Sequence, residues 1–208
     1  MDASSVEELV ALLDAGASVK YLYFWGHRPQ RDGSVGQGCL SQWWPVEFTA
    51  DGNTFATAEH YMMWRKAMLF GDEDAAGRVL AARHPKRAKE IGREVRDYDE
   101  SLWCAHRFDI VVAGNTAKFG QHPELGDYLL RTGDRVVVEA SPVDRIWGIG
   151  AAADDPVAQD PRRWPGTNLL GFALMRTRTA LRASAARRPE SEAGRSPVRA
   201  AELAPDVT

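Results

Sequence analysis

Val46-Glu47-Phe48-Thr49-Ala50-Asp51-Gly52-Asn53-Thr54-Phe55 runs directly into Ala56-Thr57-Ala58-Glu59-His60-Tyr61-Met62-Met63-Trp64-Arg65-Lys66. In the first half, Val46 and Phe48 alternate toward Asp51-Gly52, a dipeptide that tolerates the positive φ angles of a tight hairpin, and residues 53–55 supply the return strand. In the second half, Thr57 stands where it can cap a helix carrying Glu59, Met62, Met63, Lys66 and Leu69 and stopping near Gly71. A hairpin that feeds straight into a helix mixes the two kinds of structure within one unit, and the expected class is therefore α+β.

Upstream, Ser5 followed by Glu8 is a capping box leading into Val6, Leu9, Val10 and Leu13, a short amphipathic helix that stops at Gly16. Residues 21–25 are aromatic-rich and read as a strand running into a Gly-punctuated loop, 26–38. Downstream, Pro85 suits the first position of a helix with Ala88, Ile91 and Val95 on its apolar side. Residues 101–119 repeat with helical period through Cys104, Phe108, Val111, Val112 and Phe119, and 123–130 form a further short helix. Three consecutive valines in 135–140 read as a buried strand, and 144–150 as a Gly-bounded turn around Trp147. Asn168 is placed to cap the last helix, with Leu170, Leu174, Thr177 and Leu181 on one face. The expectation is a predominantly helical α+β single domain with a few short strands over residues 21–182, preceded by an N-terminal helical extension, 1–20. From 183 to 208 large apolar residues almost disappear, which reads as a disordered tail.

The totals narrow the function. The 208 residues suffice for one domain with a sizeable core, and a net charge of −3 provides no global field for gathering polyanions, so any phosphate affinity has to be local. Cys39 and Cys104 lack metal-ligand spacing and read as reduced, buried thiols. No secretory leader is visible, and no apolar run approaches the roughly 18 residues of a membrane span, so a cytoplasmic location is expected and no membrane partner. P-loop, GxGxxG, GxSxG and HExxH motifs are all missing, which argues against standard NTPases, Rossmann dehydrogenases, α/β-hydrolases and zinc peptidases. His27, His60, His84, His106 and His122 are scattered, so no metal is expected, and no cofactor.

Several residues could carry chemistry. Glu59, Met63 and Lys66 fall on one helical stripe, which would turn a carboxylate and an amine toward the same space; the plainer alternative is an acid favoured by the helix dipole and a solvated lysine. Asp144 opens Asp144-Arg145-Ile146-Trp147-Gly148-Ile149-Gly150, where glycines admit close backbone approach; an Asx-type turn is the alternative. Ser41-Gln42-Trp43-Trp44-Pro45 combines hydroxyl, amide and indole groups suited to a planar base, and Trp25, Trp103 and Trp164 add indoles that core packing would equally explain. The basic run from Arg83 to Arg96, which includes Lys89, reads as a solvated face with a phosphate clamp as its alternative.

Taken in order, these segments resemble the NADAR (NAD and ADP-ribose associated) domain family, which includes YbiA-like N-glycosidases acting on riboflavin intermediates. The resemblance spans residues 21–181. It rests on Tyr23-Phe24-Trp25, Leu40-Ser41-Gln42-Trp43-Trp44-Pro45, Thr57-Ala58-Glu59-His60-Tyr61 with Lys66, Ala117-Lys118-Phe119, Val138-Glu139-Ala140, the turn from Asp144, and Gly166-Thr167-Asn168-Leu169-Leu170-Gly171 with Leu174-Met175. The family often has Ser-Asn-Phe-Tyr in place of Ser41-Gln42-Trp43-Trp44 and Phe-Gln in place of Met62-Met63, differences that bear on base preference. The resemblance implies hydrolysis of a bond between ribose C1′ and a base nitrogen in a phosphorylated ribosyl-base metabolite, with ADP-ribosylated guanine as an alternative substrate and a non-catalytic nucleotide sensor as another reading. It implies Glu59 and Asp144 as base and electrostatic stabiliser in either order, and Lys66 as a further catalytic group that bonds a ribose oxygen or traps an opened sugar. Trp25, Ser41, Gln42, Trp44, Trp103, Trp147, Gly148 and Asn168 would bind substrate.

Overall fold

Five of the seven helices in the computed structural model, which describes residues 3–187, begin at a side chain that accepts a hydrogen bond from the first turn. Ser5 starts α1 (Val6–Asp14), Thr57 starts α2 (Ala58–Leu69) and Asp72 starts α3 (Glu73–Leu80); His84 and Asp99 start α4 (Pro85–Arg93) and α5 (Glu100–Gln121). Such bonds satisfy amides that a helix cannot pair internally. Helices α6 (Pro123–Arg131) and α7 (Leu169–Ala186) complete the set.

Four short strands form two separate pairs. β1 (Tyr21–Phe24) runs parallel to β4 (Val136–Glu139) with Tyr21 opposite Val136 and Phe24 opposite Glu139. β2 (Phe48–Ala50) and β3 (Asn53–Phe55) make the hairpin, with Asp51 and Gly52 both at positive φ, 47° and 75°, as a tight hairpin turn requires. The architecture is thus α+β and mainly helical. Helix α7 packs on β4 and α5, α2 packs on α3, α4 and α5, and the three valines of β4 are fully buried at the centre. Leu9 of α1 belongs to the same core. No helix among the described residues is long and apolar enough to cross a membrane.

Several details depart from expectation. Helix α3 fills a stretch that carries only Ala75, Ala76 and Val79 as its buried stripe, too light a pattern to stand out by period alone. Asn168 precedes α7 with φ of 52° and its side chain does not cap the helix. Instead its Oδ1 accepts from Glu139 N–H at 3.0 Å and its Nδ2 donates to Val137 O at 3.0 Å, tying α7 to β4. Cys39 is buried, but Cys104 is exposed on α5, where its thiol donates to Glu100. Helix α7 continues to Ala186, into the segment expected as tail; residues 188–208 lie outside the described residues.

Candidate active site

Glu59 is the second residue of α2, and the start of that helix is fastened twice. Thr57 Oγ1 lies 2.8 Å from His60 Nδ1, and His60 Nε2 lies 3.1 Å from Ala82 O, so the ring donates from Nε2 and accepts at Nδ1. Burial lowers the His60 pKa, in keeping with this neutral tautomer. The backbone N–H of Glu59 donates to Gln42 O at 3.0 Å, joining the helix to the loop that follows a 3₁₀ turn at Gln37–Leu40.

That loop is held from below by a buried amine. Lys118 of α5 is fully buried and donates to Cys39 O at 2.7 Å and Ser41 O at 2.9 Å. Desolvation pulls its pKa down to about 7. Gln42 accepts from Asn115 Nδ2 at 2.9 Å, and Ser41 Oγ accepts from Trp43 N–H at 3.1 Å, which fixes the successive side chains of the loop.

The third wall is the turn after β4. Asp144 Oδ1 accepts from Ile146 N–H at 2.9 Å and Trp147 N–H at 2.8 Å, an Asx-type turn. The turn is then laced to residues 166–170: Gly166 N–H to Ile149 O, Asn168 N–H to Gly148 O, and Leu170 N–H to Trp147 O. A Cβ on Gly148 would sit 2.8 Å from Glu139 O and 3.0 Å from Asp144 O, so glycine here lets backbone meet backbone.

These pieces line a small cleft that opens to solvent. Ser41, Gln42 and Trp43 line it from the loop, Glu59 and Met62 from α2, Lys89 from α4, Glu139 from β4, Asp144 and Trp147 from the turn, and Leu170 from α7. Glu59 is buried with Oε1 unpartnered, and desolvation raises its pKa to about 7, with Lys89 and the Trp43 indole pulling against the rise and Asp144 adding to it. Glu139 Oε2 is likewise buried and unpartnered; desolvation first, then the charges of Asp144 and Glu59, raise its pKa to about 8. Among the described residues no group of three His, Cys, Asp or Glu is arranged to hold a metal ion.

Of the residues singled out from sequence, Glu59, Asp144, Ser41, Gln42 and Trp147 meet at this cleft. Lys66 does not. Its ammonium donates to Gly92 O at 2.7 Å and lies 4.1 Å from the Tyr98 ring centroid and 5.6 Å from that of Trp103, outside the cleft lining. Trp103 and Trp44 are core residues, and Trp25 is 59 % exposed away from the lining. Trp43 stands where Trp44 was expected, because neighbouring side chains of the loop point to different sides; its ring lies 5.8 Å from that of His27 and 5.9 Å from that of His84. Gly148 and Asn168 shape the wall without facing it as ligand groups, since their contacts are to β4 backbone. Lys89 stands out in the sequence only within the basic run and Glu139 only within a matching stretch, neither as a site residue. An acid closing a run of valines at the C-terminal end of a parallel strand was the available signal, because such strand ends are where α/β ligands sit.

An acidic cleft with two indoles in its lining, on a mainly helical α+β frame, is suited to chemistry carried out by carboxyl groups. Comparison with known proteins gives the particular family. The NADAR domain model matches residues 23–182. A protein of Acanthamoeba polyphaga mimivirus named as an N-glycosidase is 43% identical over 164 residues, covering 76% of this chain and 95% of its own. The N-glycosidase YbiA of Escherichia coli is 30% identical over 138 residues, covering 66% of this chain and 76% of its own. Its NMR structure superposes with a TM-score of 0.62 at 23% identity, covering 84% of this chain and 94% of that one. A riboflavin biosynthesis protein of Vibrio vulnificus is 29% identical over 144 residues, which are 69% of this chain and 35% of that protein. The chain belongs to the NADAR domain family.

Proposed function

We propose that the protein is an N-glycosidase that hydrolyses the bond between ribose C1′ and an amine nitrogen of a phosphorylated ribosylaminopyrimidine, an intermediate of riboflavin synthesis. The observation that carries this reading is the meeting of Glu59, Glu139 and Asp144 around one cleft flanked by the Trp43 and Trp147 indoles. The N-glycosidase names of the mimivirus and E. coli relatives support the reaction, and the riboflavin name of the Vibrio relative supports the substrate.

Breaking such a bond builds positive charge on C1′ and the ring oxygen, and a carboxylate placed before that charge is effective because the site is partly desolvated. Asp144 suits this role, since two backbone amides hold Oδ1 in place, which leaves the rest of the carboxyl group to the cleft. Glu59, whose pKa of about 7 matches neutral conditions, suits removal of a proton from the attacking water. Lys89 faces the same space without a carboxylate partner among the described residues and is placed to hold a sugar or phosphate oxygen. The indoles would hold the leaving ring by stacking.

The reading is tested by incubation with 5-amino-6-ribosylaminouracil 5′-phosphate and measurement of released ribose 5-phosphate. Release that disappears when Glu59 is changed supports it. An inert wild-type protein, folded and at high concentration, ends it.

A further inference from the structure

Around the cleft, three acids share a single amine, Lys89. Two of the acids carry a buried, unpartnered carboxyl oxygen. Carboxyl groups gathered in one partly desolvated cleft oppose one another's ionisation, which favours retention of a proton by the cluster. The hydrogen bonds decide where. Asp144 Oδ1 already accepts two amide N–H bonds, and the Trp43 indole works against the rise of the Glu59 pKa. Among the described residues no hydrogen-bond partner reaches the buried Glu139 Oε2, and the charged groups that act on this carboxyl are Asp144 from the turn, Glu59 from α2 and Lys89 from α4. Two of those three are acids.

The surrounding backbone is shaped to hold Glu139 in place. Asn168 takes its N–H, Ile149 N–H donates to its carbonyl at 2.9 Å, and Gly148 has room beside that carbonyl only because it lacks a Cβ. Three residues of the turn and of the start of α7 thus grip one residue of β4 whose side chain ends in the cleft.

We propose that Glu139 is a third catalytic carboxyl group, the general acid that delivers its proton to the leaving nitrogen. This rests on the N-glycosidase reading above. As the C1′–N bond breaks, its electron pair stays on nitrogen and takes the Glu139 proton. Water adds to C1′ and gives a proton to the Glu59 carboxylate. Transfer of that proton back to Glu139 restores the starting state, so that one water is consumed and a free amine and a sugar phosphate are released.

The experiment compares wild type, Glu139→Gln and Glu139→Asp on two substrates, the ribosylaminopyrimidine phosphate and p-nitrophenyl ribofuranoside 5-phosphate, whose leaving group departs without protonation. Glu139→Gln is expected to lose roughly 10²-fold or more in kcat on the first, with KM little changed, and to stay within about threefold of wild type on the second. Its kcat should also lack the alkaline fall that is expected of wild type as Glu139, with its pKa raised to about 8, loses its proton. Glu139→Asp, which keeps an acid one methylene short, retains that fall and also keeps the test open if the glutamine variant does not fold. Equal losses on both substrates in the folded variants, or no loss on either, would overturn the assignment. A wild-type enzyme that cleaves neither substrate would instead count against the function itself.

Discussion

Glu59 faces the cleft from inside the protein with its buried Oε1 unpartnered, whereas Asp144 faces it from a turn that already occupies one of its carboxyl oxygens. Replacing the two should therefore have different consequences. Glu59→Gln removes the proposed general base and is expected to lower kcat about 10²–10⁴-fold with the fold intact. Asp144→Asn keeps an oxygen for the two amides but removes the carboxyl group proposed to face C1′, so kcat should fall by a similar factor; steady-state kinetics with substrate-binding calorimetry would check that binding survives in both. Wild-type rates in either variant would remove that residue from the mechanism. The amine makes a sharper distinction. Seven residues separate Glu59 from Lys66, enough to restore the angular position, but also about 10 Å of helix rise, and this displacement is what a stripe drawn on sequence leaves out. Lys66 finds Gly92 O and the Tyr98 ring instead, and Lys89 of the neighbouring helix supplies the amine. Lys66→Met should keep kcat within about twofold, while Lys89→Met should raise KM or lower kcat at least tenfold. The reverse pattern in the two variants would restore the sequence-based assignment of Lys66.

At the scale of elements, the hairpin, α2, the valine strand and α7 were legible because each has a local cause that works whatever its neighbours are: a turn dipeptide, a cap, a dense apolar run, a long periodic face. Helix α3 and the side-chain role of Asn168 were not, since the first depends on packing against α2 and the second on a strand 29 residues earlier in the chain. The cleft was only partly legible for the same reason. Glu59 and Asp144 stand in recognisable local settings, while Glu139 and Lys89 become site residues only once β4 and α4 have docked. The element that most plainly serves the site is the middle of α5, where Lys118 pins Cys39 O and Ser41 O beneath the loop that carries Gln42 and Trp43. Lys118→Met keeps the volume but leaves two carbonyls without their donor, and should destabilise the protein by about 2–4 kcal/mol in chemical denaturation. Because the loop would loosen, KM should rise as well. Unchanged stability would mean that the loop is held by its other contacts.

For the molecule as a whole, the acidic cleft is a stability cost that varies with pH. Burial raises the pKa values of Glu59 and Glu139 to about 7 and about 8 from an ordinary carboxyl value of 4.5, so between those limits the folded state binds more protons than the unfolded chain. Stability from these groups is then fully present below about pH 4.5 and is lost as pH rises through 7 and 8. Other groups act in the opposite sense. His60, whose pKa is lowered by burial, removes stability as pH falls below its unfolded value, and Lys118, lowered to about 7, does so as pH falls from about 10.5 toward 7. The absolute curve of melting temperature against pH therefore mixes opposing slopes and identifies none of them. A difference does: the double variant Glu59→Gln, Glu139→Gln leaves His60 and Lys118 in place and removes only the two raised acids. Its stability relative to wild type should climb steadily from pH 5 to pH 8.5, by on the order of 5–7 kcal/mol if both shifts are fully expressed, as wild type is forced to ionise groups the variant lacks. A difference that stays flat across this range would mean that the two carboxyls titrate normally, and that the cleft does not hold the proton its mechanism requires.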